Sequence, residues 1–415
     1  MIFPKRAGSK YAILDIDVMH PLPSVRIPRH ISGVAILIRR KGRPVHFWMQ
    51  PLPKERTFTT RELGRQISRK SGIPLLKACI REELTPPVKC TCLPSLTVAV
   101  CTRDRPRQLA RCLQSLLDME AFAFGIRVPL SILVVDNSPA NHGTKTLVAS
   151  LPDVDYSIES RPGLDFARNR ALREAQGDLL AFIDDDVVVD SGWLAGLMEA
   201  WVQYPDAAAF TGQVLPYELA TPAQIIFEQR GGFRRGFDTV CYGQDLAGHP
   251  AYPYNAGVFG TGANVAFKRS VLKQLNGFDE ALDTGPPLPA GGDHDIFCRL
   301  IRGGYQIVYK PSFLVFHEHR RERKLLLRQY WSWGLGVMAL ADKWRGKDPS
   351  AQPKIRYLIR AWFSEHLSEL ISALTGRTHV PLYMLLAEMA GGMAGLMGEY
   401  ARSKRRIERI RRRFP

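Results

Sequence analysis

Three consecutive acids, Asp184-Asp185-Asp186, follow the apolar run Leu179–Ile183. Carboxylate oxygens gathered at the end of a buried strand suit Mg²⁺ or Mn²⁺, and such ions commonly bridge to a diphosphate. By composition alone the triplet also reads as a solvated acidic turn. Asp104 and Asp136 each come just after a strand-like run, where a carboxylate can accept hydrogen bonds from a nucleotide base or ribose. Their residue type equally suits turns and helix caps. In Gly291-Gly292-Asp293-His294-Asp295, Asp293 stands in a flexible approach to a helical segment, a suitable place for a general base, and Asp295 is expected to cap the helix. His317 and His319, spaced i, i+2, fall on one face of a strand. One imidazole, His317 or His319, would complete a metal shell, and surface histidines give the same pattern. Arg161, Arg168 and Arg170 are the candidate phosphate contacts, since a guanidinium binds phosphate in two-pronged fashion. A charged helix face is the plainer account of Arg168-Asn169-Arg170.

The elements that must position these residues alternate. Leu96–Cys101, Leu130–Val135 and Leu179–Ile183 read as short buried strands, and Arg107–Leu117 and Asp165–Ala175 as helices. This order predicts an α/β fold, a mostly parallel sheet with helices on both faces. Ligands bind such sheets at the carboxyl ends of the strands. The polar groups Thr102-Arg103-Asp104, Asp136-Asn137 and Asp184-Asp185-Asp186 stand there. Three units are expected: a small α+β unit over 1–93, a catalytic domain over 94–320, and a helical extension with a basic tail over 321–415. In the first, Val34–Ile38 and Val45–Met49 around Lys41-Gly42-Arg43-Pro44 predict a hairpin, followed by a basic helix over Arg61–Lys70. Pro86-Pro87 and Pro94 mark its end.

The 415 residues carry a formal net charge of +17, which favours anionic partners. The excess gathers between Arg402 and Arg413, where eight basic residues stand against one acid. The seven cysteines form no CxxC pair, which argues against a zinc ribbon or disulfide scaffold and for a reduced setting. The first residues lack the apolar stretch of a signal peptide, so a cytoplasmic location is expected. Val380–Met397 is apolar and glycine-rich and runs into the basic tail. Two readings stand level: attachment to the inner face of an anionic membrane, or a helix packed on the catalytic domain through its glycines.

Taken in order, the motifs resemble those of the family 2 glycosyltransferases with the GT-A fold. They are Val-Ala-Val-Cys-Thr-Arg-Asp-Arg-Pro at 98–106, Val-Val-Asp-Asn at 134–137, and Arg-Pro-Gly-Leu-Asp-Phe-Ala-Arg-Asn-Arg-Ala at 161–171. Phe-Ile-Asp-Asp-Asp at 182–186, Gly-Thr-Gly-Ala-Asn at 260–264, Gly-Phe-Asp-Glu at 277–280 and Gly-Gly-Asp-His-Asp at 291–295 follow. The resemblance covers about half the chain, Leu96 to Arg320. It implies donor contacts from Thr102, Arg103, Asp104, Asp136, Asn137, Arg161, Arg168, Asn169, Asp184 and Asp185. It implies a metal, Mn²⁺ or Mg²⁺, on Asp186 and Asp184 with His317. Gly262, Ala263 and Asn264 resemble the loop bordering the acceptor, and Asp293 matches the catalytic base. The family's usual Glu-Asp pair reads Gly292-Asp293 here. Gln329-Tyr330-Trp331-Ser332-Trp333 lacks the Arg of the processive synthases' Gln-x-x-Arg-Trp, so transfer of a single sugar is implied, with inversion. A UDP-sugar is the default donor, and a glycan or lipid-linked molecule the acceptor. Two rivals stand further off. A nucleotidyltransferase acting on sugar phosphates would need a glycine-rich basic loop after the first strand, and Cys101–Pro106 has no glycine. A nucleic-acid-binding protein would need a recognised module, and the tail has no interleaved aromatics before Phe414.

Overall fold

The computed structural model describes residues 2–3, 10–52, 56–85, 90–243, 248–285, 287–377 and 380–414. Pro86-Pro87, expected to mark a boundary, lies outside them. The N-terminal unit contains β1 (Ile2–Phe3), β2 (Tyr11–Asp17), β3 (Val25–Ile27), β4 (Gly33–Arg40), β5 (Arg43–Pro51), β6 (Arg56–Phe58) and α1 (Thr60–Leu84). The expected hairpin is β4–β5, antiparallel, and β2 runs parallel to β4 on its other side. The expected basic helix is the first part of α1. It starts in a capping box in which Thr59 and Glu62 satisfy each other's backbone N–H groups.

The central unit runs β7 (Leu96–Thr102), α2 (Pro106–Leu117), β8 (Phe122–Ala123), β9 (Ile126–Arg127), β10 (Leu130–Asn137), α3 (Gly143–Ala149), β11 (Val154–Glu159) and α4 (Leu164–Glu174). It continues with β12 (Leu179–Asp184), β13 (Val187–Val189), α5 (Trp193–Gln203), β14 (Ala207–Pro216), α6 (Pro222–Gln229) and β15 (Val240–Tyr242). It closes with β16 (Asn264–Lys268), α7 (Arg269–Gln274), α8 (Gly292–Arg302) and β17 (Gln306–His317). The sheet order is β11-β10-β7-β12-β16-β14-β17-β13, with β15 paired to β17. The half that carries the acids, β11-β10-β7-β12, is parallel throughout, and β16 runs antiparallel to β12. Parallel strands covered on both faces are continuously apolar, as in Leu179–Ile183. One face packs on α4 and α8, the other on α2 and α5. Because β7, β10 and β12 point the same way, Thr102, Asp136 and Asp184 come out along one edge.

The last part is helical: α9 (Arg323–Lys347), α10 (Gln352–Leu374), α11 (Leu382–Leu396) and α12 (Glu399–Arg413). Gly391, Gly392 and Gly395 are buried, and α11 lies directly on α9. A Cβ on Gly391 would stand 2.0 Å from the carbonyl oxygen of Trp331, and one on Gly334 2.0 Å from that of Glu388. Gly398 does something else: its φ of +80° makes the turn between α11 and α12. Among the described residues no helix is long and apolar enough to cross a membrane.

The N-terminal sheet is tied to the central unit by one buried guanidinium. Arg39 uses all five of its N–H groups, donating twice to Asp15, twice to Asp190 and once to the carbonyl of Gly42. Tyr11, Leu37 and Phe47 share a core with Leu215, Leu219 and Leu314. A cavity of about 930 Å³ lies at this junction, lined mainly by β2, the segment Ser24–Ile31, Val188–Ser191 and Pro216–Leu219. It is away from the acids described next.

Candidate active site

Two acidic corners stand at the carboxyl edge of the sheet. The first is built by β12 and β17. Asp184 ends β12, Asp186 follows, and His317 ends β17. One ligand atom from each lies within 4.8 Å of the others. β13 brings them together by pairing Val187 with His317 in antiparallel register. Two carboxylates and an imidazole are a fitting donor set for Mn²⁺ or Mg²⁺. Asp186 is ion-paired with His317 Nε2 at 3.1 Å, and with Arg105 and Arg320 at 3.3 Å each. Burial acts to raise its pKa. His317, Arg320 and Arg105 outweigh burial and hold Asp186 below the usual carboxylate range. Asp184 and Asp185 go the other way. Burial and the neighbouring Asp186 charge raise both, Asp185 to about 6. Asp185 faces inward, accepting from Thr102 Oγ1 at 2.7 Å and from Arg105 at 3.1 Å.

Behind His317 runs a buried chain. His317 Nδ1 and His319 Nδ1 are 3.0 Å apart, and His319 Nε2 is 2.8 Å from Glu228 Oε1. Glu228 is fully buried and pairs with Arg234 at 3.1 Å. A carboxylate only accepts, so His319 Nε2 carries the proton and its Nδ1 accepts from His317 Nδ1–H. This chain fixes the His317 ring with Nε2 facing Asp186, the nitrogen that a metal held by this group would take. Phe227, Phe233 and Trp333 wall this chain.

The second corner is built by α4, α8 and the segment before α8. Asp293 Oδ2 accepts from the backbone N–H of Gly262 at 2.9 Å, and Oδ1 from that of His294 at 2.8 Å. Burial pushes its pKa up, but His294, Arg168 and these two N–H groups bring it below the ordinary value. Arg168 is buried and donates to Asp165 at 2.9 Å and Asp283 at 3.3 Å. Burial and the charge of Asp283 push the pKa of Asp165 up, against the pull of Arg168. Asp283 rises to about 6 by burial and the nearby Asp293. Gly291 enters α8 with φ of +105°, a backbone conformation that favours glycine. A Cβ on Gly292 would meet Asp165 Oδ2 at 2.1 Å, so a side chain there requires the Asp165 carboxylate to move.

Several expected site residues are engaged in holding the scaffold. Asn137 donates to the Arg161 carbonyl and accepts from Gly163 N–H. Arg161 is clamped on Glu159 at 2.7 Å. Asn169 fixes Phe278 through both its backbone groups. Arg170 turns to Glu174. Asn264 is wholly buried, accepting from Trp193 and donating to the Gln213 and Phe313 carbonyls. Ala263 is buried beside it, while the N–H of Gly262 reaches Asp293. Asp104, at φ of +55°, accepts from Ala140 N–H at 2.9 Å. Arg103 beside it is half exposed. Asp136 accepts from the Tyr156 hydroxyl at 2.9 Å, and burial raises its pKa. Asp295 is not a cap. α8 starts at Gly292, so Asp295 lies one turn in, where it pairs with Arg299 and Lys343. Arg105, Arg320, Glu228, Asp165 and Asp283 were not singled out from the sequence. Arg320 follows His319 directly and Arg105 sits in the 98–106 motif, so both were within reach. The other three are brought in only by folding.

Residues 179–396, more than half of the chain, match the model of glycosyl transferase family group 2, and residues 97–248 match glycosyl transferase family 2. The chain belongs to the family 2 glycosyltransferases. Its sheet and flanking helices are the GT-A fold of that family. Among relatives of this glycosyltransferase, the pre-mycofactocin glycosyltransferase of Mycobacterium tuberculosis is 26% identical over 228 residues, covering 55% of this chain and 43% of that one. The glucosyl-dolichyl phosphate glucuronosyltransferase of Haloferax volcanii is 26% identical over 175 residues, 41% of this chain and 53% of its own. The succinoglycan biosynthesis protein ExoM of Rhizobium meliloti is 36% identical over 124 residues, 29% and 38%. The chain thus spans about half the length of these relatives, or less. A solved mannosyltransferase from Pyrobaculum calidifontis, in complex with GDP-Man and Mn²⁺, is 17% identical with a TM-score of 0.46, covering 79% of this chain and 96% of that one.

Proposed function

We propose that this chain moves one sugar from a nucleoside-diphosphate sugar to an acceptor hydroxyl, with inversion and with help from a divalent metal. The observation that carries the proposal is the pair of corners on one sheet edge: a cation-ready set, Asp184, Asp186 and His317, and a separate ionised carboxylate, Asp293. A bound Mn²⁺ or Mg²⁺ would offset the charge that grows on the departing diphosphate. Asp293 takes the proton from the acceptor hydroxyl as that oxygen attacks the anomeric carbon. Its two backbone N–H bonds aim the carboxylate, and Gly262 N–H joins it to the loop proposed to border the acceptor. The diphosphate leaves from the face opposite the attack, which inverts the anomeric configuration. Thr102, Arg103, Asp104 and Asp136 remain the proposed base and ribose contacts on the β7 and β10 ends. Arg168, with Asp165 and Asp283 on one side, is proposed to act on the base corner's field as much as on the donor.

UDP is the default nucleotide. A lipid-linked acceptor is favoured by the Haloferax relative, whose name carries a dolichyl phosphate, and a glycan acceptor by the succinoglycan relative. An anionic membrane surface is the proposed partner of the basic C-terminal end, at the inner face of the membrane in a cytoplasmic enzyme. The deciding experiment is a donor screen that reads nucleoside diphosphate release with and without Mn²⁺. Release from one nucleotide sugar, lost in excess chelator, is expected, with an inverted anomeric signal in the product's NMR spectrum. Full turnover in chelator removes the metal from the reading, and a retained configuration removes the single displacement.

A further inference from the structure

α10 and α11 form an antiparallel hairpin. The Trp362 ring lies against Gly392, and His366 Nε2 is 3.4 Å from Glu388 one turn further along. Arg230 locks the pair to α6, meeting Glu369 at 3.0 Å and Glu388 at 2.7 Å. With the glycine face of α11 on α9, its outer face is left to solvent. That face is Tyr383, Leu386, Ala390, Met393 and Met397, spaced by three and four residues, with no charge in the row. The outer row of α10 is Tyr357, Arg360, Ser364, Leu367, Ile371 and Leu374. The large side chains of the two rows run from 41% exposed at Tyr383 to 74% at Met397.

Their order along the hairpin is not uniform. Toward the tip stand Leu367, Ile371 and Leu374 with Tyr383 and Leu386. Toward the base, level with Met393 and Met397 on α11, α10 presents Arg360 and Arg356. Arg402 lies on the carbonyl of Met397 at 2.9 Å. Beyond it α12 exposes Lys404, Arg405, Arg409, Arg412 and Arg413, which have no acid partner among the described residues. The acids of the hairpin are kept off this surface. Glu388 is buried, Glu369 is held by Arg230, and Glu365 lies on the opposite side of α10 from Leu367.

We propose that this hairpin seats the enzyme on an anionic bilayer, with the apolar outer row near its turn, Leu367, Ile371, Leu374 and Leu386, in the headgroup–acyl boundary and the arginines at its base against lipid phosphates. The inference rests on the membrane reading above and relocates its main contact from the tail to the α10–α11 tip. A helix too short to span, apolar on one exposed face and flanked by arginines, lies in the interface plane. A tyrosine beside the tip suits the headgroup level. The occupant is decided by charge. A second copy of the chain laid face to face on the same patch would set its own arginine collar near this one, whereas anionic headgroups complement it.

The test is flotation of the full chain with mixed phosphatidylcholine–phosphatidylglycerol vesicles and with pure phosphatidylcholine vesicles. The wild type is expected to float with the first and far less with the second. Ile371→Glu/Leu374→Glu should lose about tenfold in bound fraction, at an unchanged melting temperature, because both side chains are already half exposed. Arg356→Glu/Arg360→Glu should lose binding at low salt. Ile80→Glu/Leu84→Glu, on the exposed apolar row of α1, is the control and should float normally. Nucleoside diphosphate release with a soluble acceptor should be the same in all four proteins, so loss of flotation is read apart from failure of the sugar-transfer proposal. The proposal falls if the tip variant floats like the wild type, or if the α1 variant is the one that fails. It falls equally if light scattering shows a wild-type dimer that the tip variant dissolves, with no flotation in either.

Discussion

The two acidic corners use the same residue type for opposite ends. At the β12–β17 corner, Asp186 is surrounded by side chains, the guanidiniums of Arg105 and Arg320 and the imidazole of His317. At the α8 corner, Asp293 is held mostly by backbone N–H groups, and the one buried cation, Arg168, is shared with Asp165 and Asp283. Side-chain cations can be displaced or joined by a metal. Backbone dipoles cannot leave. The first corner is therefore suited to exchange of a ligand, and the second to keeping one carboxylate charged and aimed. The environment, not the acid, assigns the role.

The comparison is broken most severely at Asp186. Asp186→Ala should lower turnover by roughly 10³-fold or more, and a thermal melt should show the fold intact. If this variant keeps its rate, the first corner is not the metal site. Asp293→Asn is nearly isosteric and cannot take a proton. It should lose about 10²–10⁴-fold in kcat while donor affinity, measured by calorimetry, stays put. A loss in affinity instead of rate would move Asp293 from base to donor contact.

A finer cut lies behind His317. His319→Phe fits among Phe227, Phe233 and Trp333 but cannot accept from His317, and Glu228→Gln weakens the same chain from its far end. Each should weaken Mn²⁺ binding by about 10–100-fold, read from the Mn²⁺ paramagnetic resonance signal without any turnover. Unchanged metal affinity would make the chain mere packing. The smallest effect concerns pH. His294, when protonated, helps to hold the Asp293 pKa below its usual value. A lowered pKa keeps the base ionised as pH falls, so the acid limb of kcat/KM due to Asp293 should lie below the ordinary carboxylate range. His294→Gln should shift that limb upward. A shift downward would contradict the assigned cause.

Much of the catalytic sheet was legible because parallel strands buried on both faces leave a plain mark: apolar runs that end on polar residues. Leu179–Ile183 followed by three acids is the clearest case, and the helices at 107–117 and 165–175 were found to within a residue of their observed ends. What the sequence hid was the pairing across distance. Glu228 reaches His319 over 91 positions, and Asp283 reaches Arg168 over 115; no local pattern marks such partners. Asn264 shows what a motif leaves out. Its motif pointed to the acceptor, but its amide is consumed by Trp193, Gln213 and Phe313. Asp295 was misplaced because Gly291, with its positive φ, lets α8 begin three residues before it. The glycines of α11 were read correctly as a close-packing face, while the exposed row on the other side of the same helix went unnoticed.

The five-fold grip of Arg39 has a practical side. A shortened chain starting at residue 94 would still contain the whole acidic edge, and it is the natural fragment to express. It would also leave the buried Asp190 carboxylate without its guanidinium, and would bare Leu215, Leu219, Ile225 and Leu314 where Tyr11, Leu37 and Phe47 now cover them. Such a fragment should come out of solution at concentrations the full chain tolerates. The described part of the N-terminal unit thus covers apolar surface that the central unit would otherwise expose.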